Sequence, residues 1–305
     1  MISSRFVRQS LLVLCIFMIV AGVFAQAVSS AEYEPRVFQE GKDVVWVPTC
    51  QELVDKMLDM AKVTPGDYVI DLGSGDGRTV ITAAKRGARA LGIEYNPEMV
   101  ALSKRNAARE GVTGKAQFVE ADLFKSDFSQ ATVITMFLLT DINVKLRPRI
   151  LNLKPGTRIV SNTFSMGEWT PDQTETVKNE QCASYNTALL WIVPAKVEGI
   201  WRLPEGELTL KQSFQMVSGT FKSGSRAVPV TNGKLEGDVI NFSAEGVRYS
   251  GRVNGTTMEG TFESGGKNGT WTATQVHEAF RGPSIKQKTS GPLAQAKVTT
   301  NKSVR

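Results

Sequence analysis

Two hydrophobic patterns divide the chain. From about residue 45 to 202, short apolar runs alternate with stretches of helical period, whereas beyond Glu205 short runs alternate apolar with polar and end in turn residues. In the first region Tyr68-Val-Ile-Asp-Leu72 follows a Pro65-Gly66 turn and reads as a buried parallel strand, with Arg78-Thr-Val-Ile-Thr-Ala-Ala-Lys85 as the helix after it. "ALGIE" (90–94), "QFVE" (117–120), "ATVITMF" (131–137), "TRIVS" (157–161) and "ALLWIVPA" (188–195) supply further strands, apolar enough for a sheet covered on both faces. Thr49-Cys-Gln-Glu52 reads as a capping box with Thr49 at N-cap, ahead of the apolar stripe Leu53, Met57, Met60, Ala61. Asn96 is the expected N-cap, and Pro97 the first residue, of another helix. Strand and helix in alternation predict an α/β fold with a Rossmann-like, mainly parallel sheet.

The second region changes class. "INFSA", "RYSGRV", "MEGTF" and "TWTATQ" have period two, and Asn232-Gly233, Asn254-Gly255 and Asn268-Gly269 are expected hairpin turns. "SGTFKSGS" (218–225) and "EGTFESGG" (259–266) repeat turn chemistry, too briefly for a solenoid. An antiparallel all-β module over 204–278, a small barrel or a sandwich, is expected to follow an α/β domain over 32–203. No cluster of catalytic polar residues marks it, so binding, oligomerisation and a plain structural appendage remain its readings.

The chemistry concentrates after the first strand. Gly73, Gly75 and Gly77 run G-x-G-x-G, the third one residue earlier than in the dinucleotide fingerprint. Asp71 and Asp76 stand where a pyrophosphate would be repelled and a sulfonium or amino group attracted. That balance favours S-adenosyl-L-methionine over NAD. Glu94, at the end of the second strand, is placed for both ribose hydroxyls, Tyr95 for the adenine face, and Asp122 with Leu123, after the third strand, for the adenine edge. Ser74 belongs to the same loop. The plain alternative makes Glu94 and Asp122 mere helix N-terminal acids, but three acids at consecutive strand ends would line one crevice. The fourth strand's end, Thr135 to Asp141, should face the transferred methyl group. It lacks the Asp/Asn-Pro-Pro-aromatic signature of enzymes that methylate nucleic-acid amino groups, so nucleic acid is not an expected partner. Thr49, Thr135, Phe137 and Trp169 are candidate pocket residues, with core packing the rival reading for the two aromatics. No metal is expected.

With those residues in view, the stretch from 45 to 202 resembles class I S-adenosylmethionine-dependent methyltransferases, and among them bacterial relatives of the FAM173 lysine methyltransferase family. The matching words are "WVPTCQELVDKMLDMA", "DLGSGDGR", "EYNPEMV", "ADLFKSDFSQATVITMFLL", "LRPRILNLKPGTRIVSNTF" and "MGEW". Cys50 departs from the proline expected in "VPTP". The resemblance implies a seven-stranded class I sheet, a methyltransferase, and an amine acceptor such as a protein lysine. An exported adenosyl-ligand binding protein without turnover and an NAD-linked oxidoreductase are the rival classes.

Charge and the chain ends refine this picture. The 305 residues suit two domains, each large enough for its own core. Of the formal charge of +6, two arginines (Arg5, Arg8) lie in the first eight residues, and six cations without an acid follow Ala279; removing these leaves about −2 for the body. The basic balance therefore advertises no nucleic-acid surface. Residues 1–31 read as a signal peptide or an uncleaved anchor: a positive start, an apolar run to Phe24, and small-x-small sites at Ala25-Gln-Ala27 and Ser29-Ser-Ala31. The expected location is exported, in the periplasm or on the outer face of the inner membrane, with a membrane or periplasmic protein as acceptor. Such a location requires a cofactor made in the cytosol to reach an exported domain. Residues 279–305 read as a disordered basic tail that, with the leader, offers proximity to a membrane. Cys50 and Cys182 can pair in an oxidising compartment. The single histidine, His277, reads as a surface residue rather than a general base.

Overall fold

The computed structural model describes residues 33–182 and 184–276. The leader, the basic tail and His277 lie outside the described residues. No helix among those described is long and apolar enough to cross a membrane.

The α/β part is a seven-stranded sheet in the order β3-β2-β1-β4-β5-β7-β6. Strands β1 (Tyr68–Leu72), β2 (Arg89–Glu94), β3 (Ala116–Glu120), β4 (Val133–Met136) and β5 (Arg158–Asn162) are parallel. β7 (Thr187–Ile192) runs antiparallel between β5 and the edge strand β6 (Gln173–Thr176). The sequence pattern finds six of these seven strands and passes over β6, whose QTET is almost wholly exposed and carries no apolar signal. The β-branched and leucine-rich strands are buried on both faces, as two-sided cover demands.

α1 (Gln51–Met60) packs against β5 and β7, α2 (Arg78–Lys85) against β1 and β2, and α3 (Pro97–Arg109) against β2 and β3. Their apolar faces, including Leu53, Met57, Met60 and Ala61, form one core cluster. α4 (Thr140–Ile150) presents Ile142, Leu146 and Ile150 to a second cluster, with Ile70, Ile134 and Ile159. Asn96 caps α3 as expected, accepting from the Glu98 and Met99 amides, and Pro97 takes the first position. The expected capping box is not formed: Cys50 is the N-cap of α1 and provides no side-chain cap. Thr49 lies a residue further out, its hydroxyl accepting from Asn162 Nδ2 at 3.2 Å and its carbonyl from Arg78 Nη1 at 2.7 Å.

The β module is a closed eight-stranded barrel. Its first strand, β8 (Gly199–Leu203), precedes the expected boundary at 204, because it pairs with both β9 (Gly206–Ser213) and the last strand, β15 (Lys267–Gln275). Alternation places Trp201, Leu208, Leu210, Ile240, Phe242 and Trp271 inside. Two expected hairpin turns are instead strand interior. Asn232-Gly233 sits at a register break in β11 (Arg226–Glu236), Asn232 at φ 53°, so its left-handed preference serves a bulge. Asn268-Gly269 lies within β15, where a Cβ on Gly269 would approach the Phe262 ring to 2.5 Å. The turns nearby are Gly255-Thr256 and Gly265-Gly266, each between paired strand ends. The barrel docks beside β7: Trp169 stacks on Phe214 with ring centroids 5.8 Å apart, Gln215 Nε2 donates to the Thr170 carbonyl at 2.8 Å, and Ala195 N–H to that of Gly237 at 2.7 Å.

Candidate functional site

The strand order reverses between β1 and β4, and the crevice opens at the carboxyl ends of these strands, where ligands bind in open α/β sheets. It is lined at the end of β1 and in the loop after it by Asp71, Gly73, Ser74, Gly75 and Asp76, at the end of β2 by Glu94 and Tyr95, and after β3 by Asp122 and Leu123. The sequence brings all of these together. Gly77 lies just outside: at φ 84° it begins α2, and a Cβ there would meet the Phe118 ring at 2.7 Å, so its part is packing. Gly75 is at φ 52°, and a Cβ on it would come within 2.7 Å of Trp46 Nε1. The loop therefore needs glycine there both for its backbone and for the indole above it.

Asp71 is buried. Loss of solvent pushes its carboxyl up to about 7 against the opposing hydrogen bond from Thr135 Oγ1 at 2.6 Å; the charges of Glu94 and Asp76 add to the rise. Asp76 is paired with Arg78, whose Nη2 is 2.6 Å from Oδ2. Glu94 Oε2 accepts from the Gly75 amide at 2.9 Å, and Oε1 from the Tyr95 and Asn96 amides at 2.9 and 3.0 Å. The carboxylate thus ties the glycine loop to the approach of α3. With three of about four acceptor sites used, it can take about one ribose hydroxyl without releasing a backbone amide. Accepting both hydroxyls would require such a release. Asp122 accepts from Lys42 Nζ and from the Phe124 amide, which together hold its carboxyl below the usual range.

Two expected pocket residues belong elsewhere. Thr135 is fully buried as the partner of Asp71 rather than facing the crevice. Trp169 is fully buried at the barrel junction, between Trp191 and Phe214. Both are drawn inward by packing that only the assembled sheet and barrel supply. Thr49 and Phe137 do line the crevice.

Lys42, Trp46, Phe164 and Tyr185 are among the lining residues not singled out from the sequence. Lys42 and Trp46 come from a strap over the crevice, closed on itself by the amides of Phe38 and Trp46 and the carbonyls of Trp46 and Gln39. The Lys42 ammonium lies 4.9 Å from the Tyr95 ring centroid. Phe164 and Tyr185 join Phe137 at the far side of the crevice. The apolar "VVWVP" was the one signal for the strap; nothing local marks Tyr185.

The crevice fits an adenosyl sulfonium cofactor by its donor and acceptor set. Acids stand at three strand ends, a glycine-lined loop has no room for a Cβ at Gly75, and the buried Ser74 hydroxyl lacks a hydrogen-bond partner among the described residues.

Comparison with known proteins supplies the context. The model of the ANTKMT methyltransferase domain matches residues 71–173 and stops before the barrel. A protein-lysine N-methyltransferase from Saccharolobus islandicus is 44% identical over 153 residues, 49% of this chain and 94% of that protein. The adenine nucleotide translocase lysine N-methyltransferase of Mus musculus is 33% identical over 42% of this chain, which spans 56% of its length. A crystal structure of an RNA methyltransferase from Salinibacter ruber in complex with S-adenosyl-L-homocysteine is 44% identical, covering 50% of this chain and 96% of that one at a TM-score of 0.46.

Proposed function

The chain belongs to the S-adenosyl-L-methionine-dependent protein-lysine N-methyltransferases, and from that premise we propose that its own acceptor is a lysine side chain of an exported or membrane protein. The observation that carries the reading is the continuity of the crevice, which runs from the three strand-end acids to Phe137, Phe164 and Tyr185 beyond β4 and β5. When bound, S-adenosyl-L-methionine supplies an electrophilic methyl group, from which the acceptor nitrogen's lone pair displaces sulfur.

The chain's residues hold and screen. Asp71, ionised, would face the cofactor's positive charge, Glu94 would take a ribose hydroxyl, and Tyr95, Asp122 and Leu123 would flank adenine. Gly73, Ser74 and Gly75 let the loop come close, and Asp76 is kept in place by Arg78. Trp46 and the strap cover the loop and exclude water. Rate then depends on holding the nucleophile within ~3–3.5 Å of the methyl group. The acceptor attacks as the neutral amine, its ammonium proton having passed to solvent water, and desolvation lowers its pKa toward that loss.

The leader pattern and the Cys50–Cys182 disulfide support an oxidising, extracytoplasmic location. An alkaline phosphatase fusion after residue 276 tests the location: an inactive fusion in cells would place the body in the cytoplasm. The acceptor is tested by labelled-methyl transfer into membrane and periplasmic fractions, followed by mass spectrometry. Label on lysine is the expected result, and label confined to nucleic acid or small molecules would overturn the reading.

A further inference from the structure

We propose that Phe137, Phe164 and Tyr185 form the acceptor subsite, an aromatic wall that receives the ammonium end of the lysine side chain. The proposal rests on the lysine-methyltransferase reading and names the surface that selects the amine.

The three rings contact one another. Phe137 meets Tyr185 edge to face at 5.1 Å between centroids, and Phe164 lies 6.0 Å from each. The triangle is too tight to admit a group between the rings, so they make a wall and not a cage. All three line the crevice, and none belongs to the apolar cluster on either face of the sheet. Core packing therefore does not account for them, in contrast to the fully buried Trp169. Their place in the strand order also decides their role. The acids proposed for adenine, ribose and sulfonium stand at the carboxyl ends of β3, β2 and β1, and the rings follow β4 and β5 and precede β7, on the opposite side of the switch point. An acceptor entering there meets the methyl end of the cofactor.

The chain holds these rings at some cost in backbone freedom. Thr163, β-branched and not glycine, is at φ 60°. Its amide donates to the Thr187 carbonyl, and the next carbonyl, that of Phe164, accepts from Ser161 Oγ at 2.8 Å and from the buried Asn143 Nδ2 at 3.1 Å. Such over-determined strain turns the chain after β5 so that Phe164 faces the crevice. Tyr185 is held from the other side: its amide donates to the carbonyl of Cys182, which is bonded to Cys50, next to the crevice residue Thr49. Ring faces attract an ammonium within about 6 Å of the centroid, and more strongly when water is excluded. The wall thus draws in the charged form of the side chain, which gives its proton to solvent water before the nitrogen lone pair attacks.

The test uses the full chain saturated with S-adenosylhomocysteine and titrated with n-butylammonium or 1-butanol, followed by saturation-transfer NMR. Wild type should bind the ammonium in preference to the alcohol. Phe164→Leu and Tyr185→Leu, which keep apolar bulk, should weaken n-butylammonium about two- to thirty-fold and leave 1-butanol unchanged. Tyr185→Phe should bind as wild type does. Calorimetry with S-adenosylhomocysteine reports whether each variant is folded and loaded. Equal binding of alcohol and ammonium by wild type, or unchanged ammonium binding in loaded Leu variants, would overturn the wall. Ring-dependent ammonium binding in a protein that labels no lysine would uphold the wall and overturn the lysine reading alone.

Discussion

Asp71 and Glu94 are both strand-end carboxylates, and burial gives them different work. Asp71 has no cationic partner among the described residues, so the folded protein takes up a proton there between its ordinary value and about 7. Its folded pKa lies above the unfolded one; its contribution to stability is therefore full below pH 3.8 and is lost as pH rises through 7. A bound sulfonium reverses the preference, favouring the ionised form. S-adenosyl-L-methionine should consequently bind with proton release, its affinity rising up to about tenfold per pH unit below 7. Calorimetry in buffers of different ionisation enthalpy measures this, and Asp71→Asn, which preserves the shape toward Thr135, should abolish the slope. Glu94 is instead satisfied by three backbone amides. Glu94→Ala should therefore cost about 1–3 kcal/mol of stability as well as about ten- to a hundred-fold in cofactor affinity. A 2′,3′-dideoxy analogue, titrated against both proteins, should recover only part of that affinity loss, because the loosened Gly75 amide affects either ligand.

The disulfide links two elements that the sheet alone does not join. Cys50 caps α1 behind the strap, and Cys182 precedes the turn that carries Tyr185, 132 residues away in sequence. A loop of that length confines the unfolded chain, so Cys50→Ser with Cys182→Ser should lower stability by about 2–5 kcal/mol in denaturant titration. Reduction of the wild type should give the same shift, whereas the double variant should not respond to reductant.

At the scale of the molecule, the barrel contributes no lining residue to the crevice but supports the sheet that does. Phe214 covers Trp169 and packs on the cluster that includes Ile134 and Leu138. Phe214→Ala should cost about 1–3 kcal/mol by lost area and stacking. Cofactor affinity measured below the unfolding transition should stay at the wild-type value, since Trp169 does not reach the site. A large loss of affinity in the folded variant would mean that the junction also shapes the crevice.

Local chemistry wrote the parallel strands, the glycine loop, the Asn96 cap and the strand-end acids into the sequence, because each depends on residues a few positions apart. The two-part division was equally legible, as a change from helical to two-residue period. Other features required the assembled chain. QTET becomes an edge strand because β7 offers it partners, and β8 joins the barrel because β9 and β15 lie beside it. Asn232-Gly233 and Asn268-Gly269 carry hairpin chemistry, but crowding by neighbouring strands places them inside β11 and β15. Trp169 and Thr135 look like pocket residues until packing turns them inward. The aromatic wall is the clearest case: Phe137, Phe164 and Tyr185 stand far apart in sequence and meet because three strand ends and a disulfide converge on one side of the crevice.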